Sequence, residues 1–168
     1  NRLEEEGFRP CIQRVDLAVL VDTCLETLVT IAETKGLTLA VAGLDTVPAI
    51  GADAPLLRRV IENLISNAVK FTESGRVRLS AEAEGDQVRV IVSDTGPGIP
   101  AGDLDRIFDR YYQIGRRRRT RHGGFGLGLA FCRQAVTAMG GRIGVASQEG
   151  HGSQFWFTVP VSGELPAT

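Results

Sequence analysis

Several residue types are scarce in this chain of 168 residues, which has three cysteines, two histidines, one methionine, one tryptophan and only 6% aromatic residues. Cys11, Cys24 and Cys132 form no close pair, and Cys24 and Cys132 fall on the apolar stripes of predicted helices, where a buried thiol behaves as a small hydrophobe. That is the cysteine usage of a reducing, cytoplasmic setting. No apolar run approaches the length needed to cross a bilayer. The first residues have neither a signal peptide's apolar stretch nor a starting Met, so the sequence reads as a piece of a longer chain. A net charge of -1 gives no global field toward nucleic acid or an anionic membrane, although arginines crowd residues 106–121. No internal repeat is visible. What is present, 43% hydrophobic and 23% charged residues, is enough for one domain around a single core.

Residues 1–15 read as the end of an upstream helix and a linker, residues 16–162 as the domain, and residues 163–168 as a tail. Asp16 is an N-cap for a helix whose Leu17, Leu20, Val21, Cys24, Leu28, Ile31 and Ala32 recur at helical spacing until Gly36. "LTLAVAG" reads as a strand. Asp53 and Pro55 open a second helix with the stripe Leu57, Val60, Ile61, Leu64, Ile65 and Ala68, ending near Phe71. Residues 76–83 and 87–93 alternate as two strands of a hairpin through "EGDQ". A third helix is expected from about Gly126 to Met139, then strands around Ile143–Ala146 and Phe155–Val159. These elements suggest an α/β fold with one mixed or antiparallel sheet of about five strands, covered on one face by three helices.

Three stretches carry residues that packing alone does not ask for. In the strand ending "DTGPGI", Asp94 shares a face with Val88, Val90 and Val92 and so points toward the rim of the core. A half-buried carboxylate needs donors. Either it caps the "TGPG" turn, or it receives the exocyclic amine of a nucleobase. On the second helix, Asn63, Asn67 and Lys70 line one face, and asparagine is a weak helix former. Such a face is either solvated or offers an amide oxygen to Mg²⁺ and an ammonium to a phosphate. "GGFGLGLA" places Gly124, Gly126 and Gly128 at the start of the third helix, as a flexible loop or as a phosphate cradle. Trp156 reads as sheet packing.

Together these stretches resemble the ATP-binding catalytic domain of sensor histidine kinases, in the superfamily that includes gyrase, the heat-shock chaperone and mismatch-repair ATPases. "ENLISNAVKFT" looks like the N box, "DTGPGI" the first glycine box, "IFDRYYQ" the phenylalanine box, "GGFGLGLA" the second glycine box and "GSQFWFTVP" the closing element, in family order over residues 62–160. The resemblance implies the Bergerat-type ATP-binding fold, a two-layer α/β sandwich with a mixed, mostly antiparallel sheet, with a lid of about residues 101–125 and the cofactors ATP and Mg²⁺. Asp94 would take the adenine amino group, Gly96 and Gly98 would clear room for the base, and Phe71 would pack on the base or its sugar. Asn67 would hold Mg²⁺, with Asn63 and Lys70 as catalytic neighbours. Gly124, Gly126, Leu127 and Gly128 would meet the phosphates, and Ile99, Leu129 and Ser153 belong to the same boxes.

The superfamily's ATPases carry a glutamate where this chain has Asn63, and an amide cannot accept water's proton. The resemblance therefore implies transfer of the γ-phosphoryl group to a histidine rather than hydrolysis. That histidine would sit on an upstream dimerisation domain, because His122 in the lid and His151 in "EGHGS" lack the family's helical context. A response regulator would act downstream; no nucleic acid is implied. The parent would be a homodimer and this fragment a monomer, cytoplasmic even if the parent is membrane-anchored. Many family members have an Arg at the position of Gln113, and Arg116 to Arg119 are candidate substitutes or simply a solvated face. A non-catalytic nucleotide sensor and a serine kinase are the rival classes.

Overall fold

A computed structural model describes residues 9–109 and 128–164. Asp16 caps helix α1 (Leu17–Glu33), accepting the Val19 N–H at 3.3 Å. The helix ends in a Schellman motif: Leu37 N–H reaches Ala32 O, Gly36 N–H reaches Glu33 O, and Gly36 supplies the left-handed residue at φ 74°. Helix α2 (Ala54–Phe71) starts on Asp53, whose carboxylate accepts the Leu56 N–H at 3.1 Å and the Cys11 N–H at 3.0 Å. Helix α3 runs Gly128–Ala138. Residues 126 and 127, where a start was expected, lie outside the described residues.

Strands β1 (Gln13–Val15), β2 (Thr38–Ala42), β3 (Ile50–Ala52), β4 (Arg76–Glu84), β5 (Gln87–Asp94), β6 (Ile143–Ser147) and β7 (Ser153–Pro160) form two sheets. The large sheet has the order β2-β4-β5-β7-β6, with β2 parallel to β4 and every other pairing antiparallel. The mixed five-stranded sheet is the one expected from the sequence. The small sheet pairs β1 with β3 and was not expected, since residues 1–15 read as a linker; Val15 is buried there.

Helix α2 packs between α1 and α3 and against β4 and β5. Its Leu57, Val60, Ile61, Leu64 and Ile65 are fully buried, each contributing on the order of 1.5–3 kcal/mol. They meet Val88, Val90 and Val92, the inward set of β5, which are equally buried. Trp156 sits in the sheet, as expected, with the Arg89 guanidinium 4.1 Å from its ring centroid. Cys24 and Cys132 are buried and Cys11 is exposed. Among the described residues, no helix is long and apolar enough to cross a membrane.

One side chain pins the end of α2 from outside the helix. Lys35 Nζ donates to Val69 O at 3.0 Å and Lys70 O at 2.8 Å and lies 3.7 Å from Glu73. A cation there adds a partner to the last carbonyls of the helix, of which Val69 O also accepts the Thr72 N–H at 3.4 Å, and faces the negative end of the helix dipole. Lys35→Met is expected to cost about 1–2 kcal/mol, read as a lower urea midpoint at an unchanged slope.

Candidate functional site

Where β5 ends beside α2, the sheet and helix layers part to leave a solvent-open cleft, with about 510 Å³ of empty space counting the open solvent at its mouth. Helix α2 supplies Asn67, Ala68 and Phe71; β5 and the following loop supply Asp94, Pro97, Gly98 and Ile99; Leu129 comes from α3 and Ser153 and Phe155 from β7. Ile107 closes one wall. Seven residues expected at a nucleotide site (Asn67, Phe71, Asp94, Gly98, Ile99, Leu129 and Ser153) thus share one cleft. Ala68, Pro97, Ile107 and Phe155 were missed, although each lies inside or next to a quoted motif.

Asp94 is the last residue of β5 and stands opposite Ser153 on β7 and Val77 on β4. Its carboxylate accepts the Gly96 N–H at 2.9 Å and a backbone bond from Ser153. It therefore caps its turn and faces the cleft, so the two readings of the sequence are not exclusive. Burial still pushes its pKa up, against the lowering effect of both N–H groups. Lys70, one turn beyond Asn67, is displaced in the opposite sense, its ammonium pushed down by burial, with Nζ 5.8 Å from the Phe71 ring centroid. Both groups are partly buried, and Lys70 lies outside the cleft lining.

The glycines of the first box are also constrained by the protein itself. A Cβ on Gly98 would lie 2.4 Å from Gln148 O, and Gly98 has φ 78°. A Cβ on Gly96 would lie 3.0 Å from each of Asp94 Oδ1, Phe71 O and Thr72 Oγ1. Contacts within the protein thus already disfavour a side chain at these two positions, from the backbone at Gly98, which also lines the cleft, and from both side-chain and backbone atoms at Gly96. Gly128 differs, since a Cβ there would meet nothing within 4 Å among the described residues. Gly124, Gly126, Leu127, Gln113, Arg116 to Arg119 and His122 lie outside the described residues.

Asn63 does not line the cleft. Its side chain hydrogen-bonds the Cys132 thiol, whose pKa burial pushes up to about 12 despite that bond. Glu62 is engaged by Arg58 at 2.8 Å, one turn back on the same helix. Asp94 is therefore the one carboxylate among the cleft-lining residues. The first part of the expected lid is packed rather than free: residues 101–104 form one helical turn, Ile107 and Phe108 are buried, and Phe108 meets Phe155 edge-on at 6.2 Å between centroids. No group of three His, Cys, Asp or Glu suited to a metal occurs among the described residues. The cleft suits a hard cation in another way, through the single amide of half-buried Asn67 together with ligand phosphates.

Residues 52–163 match the family described as histidine kinase-, DNA gyrase B- and HSP90-like ATPase. The chain is 43% identical over 119 residues to the sensor histidine kinase RcsC of Escherichia coli (strain K12), covering 71% of this chain and 12% of that protein. It is 48% identical over 111 residues to the sensor histidine kinase AruS of Pseudomonas aeruginosa, covering 63% of this chain and 11% of that one. Among solved structures, full-length ShkA in complex with AMPPNP superposes with a TM-score of 0.80 at 37% identity, over 92% of this chain and 32% of that chain. The chain belongs to the histidine kinase-, DNA gyrase B- and HSP90-like ATPase family, as an ATP-binding catalytic domain of the sensor histidine kinase type.

Proposed function

We propose that this domain binds Mg²⁺-ATP in the cleft between α2 and β5 and donates its γ-phosphoryl group to a histidine on a dimerisation domain elsewhere in the parent protein. The observation that carries the reading is the convergence of Asp94, Asn67, Phe71 and Ser153 on one cleft. Asp94 accepts the adenine amino group, Phe71 packs against the base or its sugar, and Lys70 meets the phosphates as a point charge. Asn67 holds the Mg²⁺, which neutralises charge on the phosphates and orients them. Gly128 and its neighbours at the start of α3 offer backbone N–H groups to the same anion.

Hydrolysis is disfavoured by what the cleft lacks. Asn63 is an amide tied to Cys132, and Glu62 is held by Arg58, so no carboxylate on α2 is available to activate water. The acceptor is then a protein nucleophile: an imidazole nitrogen attacks the γ-phosphorus, the bond to the β,γ-bridging oxygen breaks, ADP leaves, and the imidazole loses its proton. Catalysis consists of positioning and charge neutralisation. A response regulator takes the phosphoryl group onward, and the parent works as a homodimer in the cytoplasm or at its membrane.

Purified alone, the chain should bind ATP better than GTP by calorimetry, hydrolyse it very slowly and gain no stable label from γ-labelled ATP. With the parent's dimerisation helices supplied in trans, a histidine there should become labelled, slowly, because no linker raises the effective concentration. The product should be acid-labile and base-stable, as a phosphoramidate is. Equal affinity for ATP and GTP would remove the nucleotide assignment, and a label that survives acid would move the acceptor to serine.

A further inference from the structure

The loop after Asp94 is fastened to the β6–β7 turn by one side chain that no motif singled out. Ser147, the last residue of β6, stands opposite Ser153 across the hairpin. Its Oγ accepts the Ile99 N–H at 2.7 Å, lies 2.9 Å from Ser153 Oγ and can donate to Gly152 O at 3.0 Å. The same two segments touch again where Gly150 N–H reaches Pro97 O and where Gly98 packs on Gln148. Ile99, Ser153, Pro97 and Gly98 all line the cleft.

A serine hydroxyl has one hydrogen and two lone pairs. Ile99 occupies one lone pair of Ser147, and the Ser147 hydrogen has two acceptors within reach. If it goes to Gly152 O, the Ser147–Ser153 contact must be made with Ser153's hydrogen, and Ser153 turns only lone pairs to the cleft. If it goes to Ser153 Oγ, Ser153 keeps its own hydrogen for the cleft. Asp94 is a fixed acceptor beside it. Next to an amino group, each edge of adenine presents a ring nitrogen that accepts, so Asp94 paired with a donating Ser153 is its complement. Asp94 beside a lone pair is not.

We infer that Ser147 is a positioning residue for base recognition, anchoring Ile99 and turning the Ser153 hydroxyl hydrogen into the cleft without touching the nucleotide. This rests on the ATP reading of the cleft. Ser147→Ala removes both contacts and should weaken ATP binding about tenfold, while Ser147→Thr, which keeps the hydroxyl, should restore it to within about threefold.

The test is calorimetry of the whole chain with ATP, 1-deaza-ATP and 7-deaza-ATP. One of the two analogues lacks the nitrogen that Ser153 addresses, and for that analogue Ser147→Ala should cause little further loss. A purely structural role would weaken all three nucleotides by the same factor, and that result overturns the inference, as does an alanine variant that binds ATP like the wild type. If Ser147→Ala does not fold, Ser147→Cys, whose thiol is a weak donor, carries the same comparison. GTP run in parallel on the wild-type chain separates the two levels: equal affinity for ATP and GTP removes the ATP reading itself, and a preference for ATP that Ser147→Ala leaves unchanged removes only the role of Ser147.

Discussion

Asp94→Asn is expected to weaken ATP binding by about 10- to 150-fold while leaving the nucleotide-free domain no less stable at neutral pH. The substitution keeps the shape and an acceptor oxygen for the Gly96 N–H. It exchanges the other oxygen for an NH₂ group that meets the adenine amine donor to donor. Ordinarily, removing a hydrogen-bonded carboxylate destabilises a fold. Here burial raises the Asp94 pKa in spite of its two backbone bonds, so the charge is a burden on the empty protein. For a group whose folded pKa is raised, the stability it contributes is full below the ordinary aspartate range and is lost as pH rises through the raised value. The asparagine variant has no such loss. Its thermal midpoint without nucleotide should equal or exceed the wild-type midpoint at pH 7, and the difference should shrink on acidification toward the ordinary aspartate range. A lower midpoint with ATP binding intact would make Asp94 a turn cap and nothing more.

That carboxylate was legible in the sequence because the strand period is simple: three valines at alternate positions put the fourth residue of the series on the inward face. The helical stripes of α1 and α2 were legible for the same reason, being long and strongly periodic, with Asp16 and Asp53 as caps. Strands β1 and β3 were not, since three residues carry no readable period and their pairing joins positions far apart in the chain.

Within the cleft, membership of a motif located residues along the chain but not what each one touches. Asn63 and Asn67 are one helical turn apart and look equivalent in sequence. Only the packing of α3 on α2 shows that one is held by the Cys132 thiol while the other faces the cleft. Gly98 lines the cleft, and only the turn between β6 and β7 shows that the Gln148 carbonyl requires a glycine there as well. Ser147 has no local signature at all, since its role arises from hairpin register with Ser153 and from a loop 48 positions away at Ile99. Contacts set by pairing between distant strands are invisible to local spacing.

The division of labour on α2 is tested most severely at Asn67, where replacement by alanine is expected to abolish the Mg²⁺-dependent tightening of ATP binding and to slow phosphoryl transfer by about 100-fold or more. The helix itself should tolerate the change, because alanine is the better helix former and Asn67 is only half-buried. Loss of transfer through unfolding is therefore separable from loss through the metal by comparing thermal midpoints, which should be equal or higher in the variant. Binding of ATP without Mg²⁺ should change little, since Asp94, Phe71 and Ser153 still receive the base. Calorimetry with and without Mg²⁺ reads both quantities in one series. If the variant's affinity still rises on adding Mg²⁺ by the wild-type factor, the ion is held elsewhere, and Asn67 belongs to the wall of the cleft rather than to its chemistry.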